Sequence, residues 1–169
     1  MVPEYTRNLI WGKFLDAGRI ARYFSRLSRR HHRRHQFIRI ALLVSVMGSV
    51  TDLIDLLPAF AAIVFGIIAS VLIAIDFSFE DGRKASVALF IAVECGKLES
   101  AWERLWVSVN NHQLEEDSAR RINSELDDRI IAVTSIAGYS NLTENSKINV
   151  KSAEEAYAVI GEQYGEGSE

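Results

Sequence analysis

Cysteine is almost absent from this chain of 169 residues, which contains only Cys95. A single thiol cannot close an internal disulfide, so nothing in the sequence requires an oxidising compartment. It also has no second cysteine with which to build a zinc site. The first residues, MVPEYTRNLIW, lack the apolar stretch and cleavage site of a secretory signal peptide, so we expect any membrane segment to be internal.

Catalytic motifs are missing as well. The sequence has no phosphate-binding loop, no paired-glycine nucleotide fingerprint, no HExxH motif and no nucleophile elbow. Arg30 and His35 match the short Arg-x4-His motif of HEPN ribonucleases, but a segment so rich in arginine and histidine produces this match easily by chance. We therefore expect a protein that is not an enzyme and needs no cofactor, metal or nucleic acid, with a membrane-anchored ribonuclease as the least favoured alternative.

Charge is distributed very unevenly along the chain. Up to Arg39 there are ten basic and two acidic residues, whereas from Asp76 onward nine basic residues accompany eighteen acidic ones. The only charged residues in the range 40–75 are Asp52 and Asp55. The net charge of −3 therefore averages over a basic arm, an apolar middle and an acidic tail.

The apolar middle predicts two helices that cross a membrane. The segment 57–76 includes AFAAIVFGIIASVLIAI, in which Ser70 is the only polar residue, and it is long enough for a hydrocarbon layer of ~30 Å. The segment 37–55 is the weaker candidate because it carries Arg39 and Asp52 near its ends. A buried hairpin of a soluble protein is the alternative, although its helices would normally keep a polar face.

The sequence DLIDLLP predicts a short turn between these two helices. Pro58 interrupts the helix, and Asp52 and Asp55 are expected at the outer water interface. Basic residues next to a span stay in the cytoplasm, which predicts an inner-membrane, multi-pass protein with both termini cytoplasmic. The residues expected at the inner boundary are Arg33, Arg34 and Arg39.

Small and hydroxyl residues recur every four positions in both apolar segments. Such residues let helix backbones approach closely inside a bilayer. They are expected either to pack the hairpin against itself or to form contacts between subunits or the lining of a pore. The residues assigned to these helix contacts or to the pore are Ser45, Ser49, Ala62, Gly66 and Ser70.

The flanking regions are expected to be helical too. We predict a basic amphipathic helix over 1–36, a transmembrane hairpin over 37–76 and a cytoplasmic helical region over 77–169. The helices of that last region are expected at about 77–111, 114–137 and 152–164, the third beginning at a capping box formed by Ser152 and Glu155. The predicted fold class is therefore all-α, with a helical bundle following the hairpin.

Apolar residues spaced by three and four in 91–133 predict a seam between helices. The seam either joins two helices of one chain or joins neighbouring chains, and we assign it to a homo-oligomer. The residues assigned to the oligomer seam are Leu98, Trp102, Leu105, Leu126 and Ile130.

The order of these elements resembles the SLATT family, small prokaryotic proteins with two transmembrane helices that accompany defence modules. The matching segments are RRHHRRHQFIRI, LLVSVMGSVTDLIDLLPAFAAIVFGIIASVLIAIDFSF, ASVALFIAVECGKLESAWERLW and NSKINVKSAEEAYAVIGEQY. Two-span effectors associated with retrons and membrane pore proteins that accompany some CRISPR systems have a similar layout.

The resemblance implies an antiviral effector that assembles in the inner membrane and permeabilises it, stopping growth of the infected cell. One two-helix hairpin cannot enclose a water path, so conduction would require several subunits. The implied partners are the lipid bilayer, further copies of the chain and a cytoplasmic sensor protein of the defence system. A membrane scaffold that recruits such a sensor or an enzyme, and conducts nothing, is the alternative from another class.

Overall fold

The computed structural model describes residues 2–50, 59–142 and 144–164, and within these ranges the chain is helical without any strand. The prediction of an all-α fold is thereby confirmed. The helices are α1 (Glu4–Val50), α2 (Ala59–Phe79), α3 (Asp81–Asn110), α4 (Glu116–Tyr139) and α5 (Ser146–Tyr164).

Two compact units make up the chain, and two helices contribute to both of them. The helical unit consists of Met1–Ser28 and Ser86–Glu169, and the apolar unit consists of Arg29–Ala85. Helix α1 continues without a break from one unit into the other. The sequence predicted a division near residue 36 from the change in composition, but nothing there interrupts the helical backbone.

The helical unit is built around one hydrophobic core. Each of its helices places apolar residues three and four positions apart on its inner face, as expected for amphipathic helices that pack together. Helix α1 contributes Ile10, Phe14, Ala17, Ala21, Phe24 and Leu27 to this core. Helices α3, α4 and α5 contribute Ile91, Cys95, Leu98, Trp102, Leu105, Val109, Ala119, Leu126, Ile130 and Ile160.

The five residues assigned to an oligomer seam all belong to this core. Trp102 is fully buried, and the other four are at most 8% exposed. The Trp102 indole donates a hydrogen bond from Nε1 to Asn123 Oδ1 at 3.0 Å, which satisfies its polar group inside the unit. Their burial favours the seam within one chain, because the same side chains have almost no exposed surface left for a neighbour.

Helix α5 begins earlier than the sequence predicted. Its N-cap is Asn145, whose Oδ1 accepts a hydrogen bond from the backbone N–H of Ile148 at 3.1 Å. Ser152 lies inside the helix and donates its hydroxyl proton to the Ile148 carbonyl at 2.8 Å. The predicted capping box is therefore wrong: Ser152 is an interior residue, and Glu155 pairs with Arg26 instead.

The boundary between α2 and α3 is also displaced from the prediction of a helix starting near residue 77. Helix α2 continues to Phe79, and Glu80 separates it from α3 with a positive φ of 47°. Helix α3 then begins at Asp81, a favourable position for a carboxylate because the N-terminus of a helix carries partial positive charge.

The apolar unit buries few side chains. Helix α1 contributes Ile38 and Ser45 to its buried set, α2 contributes Ala69, and the first turns of α3 contribute Asp81 and Ala85. Most other described apolar side chains of this unit face outward.

Candidate functional site

An exposed apolar surface is the most conspicuous feature of the apolar unit. On α1, Phe37 is 72% exposed and Met47 is 67% exposed. A water-soluble monomer rarely exposes a contiguous apolar surface of this kind. The other large apolar residues that are exposed on α1 and α2 are Ile40, Leu43, Val44, Val46, Phe60, Ile63, Val64, Ile67, Ile68, Val71 and Ile73.

Helix α2 has the length and composition required to cross a membrane. The candidate span belongs to the stretch Ile63–Asn110, which runs from α2 into α3, and its most apolar window of 18 residues has a mean hydropathy of 2.1. A core helix of a soluble protein can be equally apolar, but it is mostly buried. In this window only 7% is buried. Among the described residues, this is the one helix that is long and apolar enough to cross a membrane.

The first predicted span is described only in part. Residues 37–50 belong to α1, whereas the remainder of that segment and the predicted outer turn, with Asp52 and Asp55, lie outside the described residues. The side chains of Ser49 and Ala62 lie outside them as well.

The remaining small residues of the predicted contacts differ in their surroundings. Ser45 is 4% exposed, and its hydroxyl donates to the Ala41 carbonyl of its own helix at 2.9 Å. Ser70 is exposed and donates to the Gly66 carbonyl at 2.9 Å. A Cβ atom added to Gly66 would meet nothing within 4 Å. Ser45 therefore packs within the chain, while Gly66 and Ser70 lie on an open face of α2.

An ion-pair cluster lies at the basic end of the apolar unit and consists of His31, Arg34, His35, Asp76 and Asp81. His31 Nδ1 is 2.6 Å from Asp81 Oδ1, and Arg34 Nε is 3.1 Å from Asp81 Oδ2. His35 Nδ1 is 3.0 Å from Asp76 Oδ1. An ionised carboxylate only accepts hydrogen bonds, so in both pairs Nδ1 carries the proton.

Asp81 is the buried centre of this cluster, with 2% of its side chain exposed. Burial of a carboxylate is costly unless it is paired, and α1 pairs it with the His31 imidazole on Oδ1 and with the Arg34 guanidinium as an ion pair on Oδ2, although Oδ2 itself accepts no hydrogen bond from the described residues. A Cβ on the neighbouring Gly82 would lie 3.2 Å from His35 Nε2, so glycine permits the close approach of α1. Asp76 and Asp81 could not be predicted from the sequence, because their partners are distant in the chain.

Of the three arginines predicted at the inner boundary, one belongs to this cluster and two do not. Arg34 contributes to it, whereas Arg33 and Arg39 are exposed. The two residues that match the HEPN motif, Arg30 and His35, do not face the same side of α1 either. Arg30 is exposed and His35 is held by Asp76, and residues five positions apart on an α-helix point about 140° away from each other.

The only thiol of the chain lies in the core of the helical unit. Burial raises the pKa of Cys95 to about 12, with a smaller contribution from the Glu94 carboxylate. The thiol is therefore protonated at neutral pH and is a poor nucleophile. Among the described residues, no group of three or more histidine, cysteine, aspartate or glutamate side chains is placed to hold a metal ion.

Comparisons with known proteins identify no relative: no family model matches the chain, and neither do curated proteins or solved structures. The resemblance to the SLATT family thus depends on the layout of the sequence and stays a prediction.

Proposed function

We propose that this chain is an oligomeric inner-membrane effector that permeabilises the membrane, or forms a pore in it, as part of an antiviral, abortive-infection defence system. The observation that carries the membrane component is the exposed apolar surface of α1 and α2. Covering that surface with lipid removes it from water, which is favourable by roughly 25 cal/mol per Å². The defence component comes from the SLATT-like layout.

The ion-pair cluster supports a transmembrane hairpin. His31 pairs with Asp81, whereas His35, further along α1, pairs with the earlier Asp76. Residue numbers therefore rise along α1 while those of the partners fall, which is the pairing of antiparallel segments. In the proposed topology the turn between α1 and α2 is outside, and both termini are in the cytoplasm beside the arginines that precede the apolar surface.

Oligomerisation is required by the proposed activity, because a single hairpin has no interior. The open face of α2 around Gly66 and Ser70 supports contacts between spans of different subunits, since small residues allow close packing in lipid. In the helical unit the proposed contact between copies is through Leu89, Phe90 and Val93. They lie within about 100° on one side of α3 and are each about half exposed.

A membrane scaffold is the second candidate function. It is favoured by the helical unit, which has its own core and could present a docking surface to a cytoplasmic sensor or enzyme. The acidic excess after Asp76 would suit a basic partner.

Dye release from liposomes separates the two candidates. The purified full-length protein is reconstituted at a known number of copies per vesicle, and the release of a small entrapped fluorophore is followed. An effector releases more dye as more copies of the protein are added per vesicle, whereas a scaffold leaves the vesicles tight. Vesicles reconstituted with heat-unfolded protein serve as the control for damage caused by detergent.

A further inference from the structure

One face of α1 changes from arginine to apolar residues within a single helical turn. With 100° per residue, Arg29, Arg30 and Arg33 lie within about 100° of one another, and Phe37 and Ile40 continue the same face. All five side chains are exposed. A stripe of charge thus leads directly into a stripe of apolar surface.

The opposite face of the same helical segment is occupied by the chain itself. His31, Arg34 and His35 contact Asp76 or Asp81, and Ile38 is buried. Asp76 and Asp81 are therefore paired on that face.

Arg29, Arg30 and Arg33 form no ion pair with any residue in the part of the chain that the structure describes. Three neighbouring guanidinium groups repel one another and attract anions, and arginine binds phosphate particularly well through its planar fork of donors. Any anion that binds these three arginines must therefore come from outside the described part of the chain.

The length of the arginine stripe fits the headgroup layer of a membrane. From Arg29 to Arg33 the helix rises by about 6 Å, at 1.5 Å per residue. Each headgroup layer of a bilayer is roughly 5–7 Å thick, given the difference between its total and hydrocarbon thickness. With Phe37 and Ile40 at the level of the acyl chains, the three arginines are at the level of the lipid phosphates.

We propose that Arg29, Arg30 and Arg33 form a binding site for the phosphate groups of anionic phospholipids in the cytoplasmic leaflet. The acyl chains of the same lipids cover Phe37 and Ile40. This inference rests on the proposed membrane location and adds to it a preference for lipid charge. Each basic residue near an anionic surface contributes about a fivefold gain in affinity, so the loss of three costs on the order of 100-fold.

The test uses the full-length protein in a mild neutral detergent, titrated with phosphatidylglycerol or with phosphatidylcholine. Thermal unfolding reports lipid binding because a ligand of the folded state raises Tm. The test variant is Arg29→Gln/Arg30→Gln/Arg33→Gln. The matched control is Arg104→Gln/Arg121→Gln/Arg129→Gln, which removes three exposed arginines of the helical unit and changes the net charge equally.

We expect phosphatidylglycerol to raise Tm of the wild-type protein and of the control variant, and phosphatidylcholine to have little effect. In the test variant the phosphatidylglycerol concentration for half-maximal shift should rise on the order of 100-fold. Salt at 1 M should weaken the wild-type response, because the Debye length falls to about 3 Å.

Four results would overturn the proposed site. The first is an equal response of the wild-type protein to both lipids, and the second is an unchanged response of the test variant. The third is equal stabilisation by inorganic phosphate, which would indicate a site for a soluble anion. The fourth is stabilisation by a lipid-free RNA oligonucleotide that exceeds that by phosphatidylglycerol. A protein that stays soluble and monodisperse without detergent would instead overturn the membrane proposal itself.

Discussion

His31 Nδ1 and Asp81 Oδ1 lie 2.6 Å apart although 50 positions separate the two residues in the chain. The contact joins α1 to the first residue of α3, and Asp81 is almost completely buried there. A buried carboxylate that is hydrogen-bonded by His31 and ion-paired with Arg34 holds these helices in one register. We therefore expect this pair to control the geometry of the proposed inner boundary.

The substitution Asp81→Asn should destabilise the protein. It removes the negative charge that His31 and Arg34 face while keeping the volume of the side chain. Loss of one partner from a buried, charged hydrogen bond lowers the free energy of unfolding by about 2 kcal/mol where the other partners are partly exposed. Thermal unfolding in detergent measures the effect.

Glu80→Gln is the control for this substitution, because Glu80 is an exposed neighbour that pairs with the exposed Arg83 at 3.4 Å. Its effect should stay within about 0.5 kcal/mol. Equal unfolding temperatures for Asp81→Asn and the wild-type protein would contradict the role given to the buried pair.

The double substitution Gly66→Leu/Ser70→Leu should block membrane permeabilisation while leaving membrane insertion intact. The two residues lie on the open face of α2, so leucine fits without a clash inside the chain, and it only prevents close approach of another helix. Dye release and growth arrest on expression should both disappear. Extraction of the membrane fraction with detergent should still yield the variant.

Ile67→Leu/Val71→Leu is the matched control on the same helix, since both residues are exposed and stay apolar. It should permeabilise like the wild-type protein. If Gly66→Leu/Ser70→Leu permeabilised membranes as well as the wild-type protein does, this face would not be a contact between subunits.

The sequence predicted those features that depend on local pattern. Spacing by three and four was enough to place Leu105 in a seam between helices, and the length of the apolar run identified α2 as a candidate span. The ion-pair cluster was not predictable, because nothing local to His31 indicates that Asp81 will lie beside it. The start of α5 was missed because Asn145 and Ser152 are both good N-cap residues, and tertiary packing selects the first.

Phe90→Ser should lower the mass of the detergent-solubilised particle, if α3 mediates the contact between copies. Phe90 is 51% exposed, so its loss costs little stability within the chain. Ile131→Ser is the control, because Ile131 has similar exposure on α4 and is not part of the proposed contact. Light scattering coupled to size-exclusion chromatography measures both masses. A wild-type protein that is a monomer would contradict oligomerisation altogether.

Cys95 should resist alkylation in the folded protein across the neutral and mildly alkaline range. Its pKa is raised to about 12, so the reactive thiolate is scarce until the pH approaches that value, and the side chain is buried. The rate of labelling with iodoacetamide between pH 7 and 9 should therefore be set by how often the chain unfolds. Rapid labelling of the folded chain at pH 8, compared with the chain in guanidinium chloride, would show that the core of the helical unit is open.

Gly18→Ala should destabilise the helical unit, although alanine normally favours a helix over glycine. A Cβ at Gly18 would lie 2.8 Å from both Arg22 Nη1 and Glu99 Oε1. These two atoms form an ion pair of 2.8 Å, and the Arg22 group also donates to the Gly18 carbonyl, so a shift of either side chain disturbs both contacts. Overpacking of this kind costs about 1–3 kcal/mol.

Gly12→Ala is the matched control on the same helix, because a Cβ there would meet nothing within 4 Å. That substitution should stabilise the protein by about 0.5–1 kcal/mol through helix propensity. Opposite signs for the two variants in thermal unfolding would establish that the close packing of α1 on α3 requires glycine. If Gly18→Ala were also stabilising, the pair formed by Arg22 and Glu99 would have to lie elsewhere.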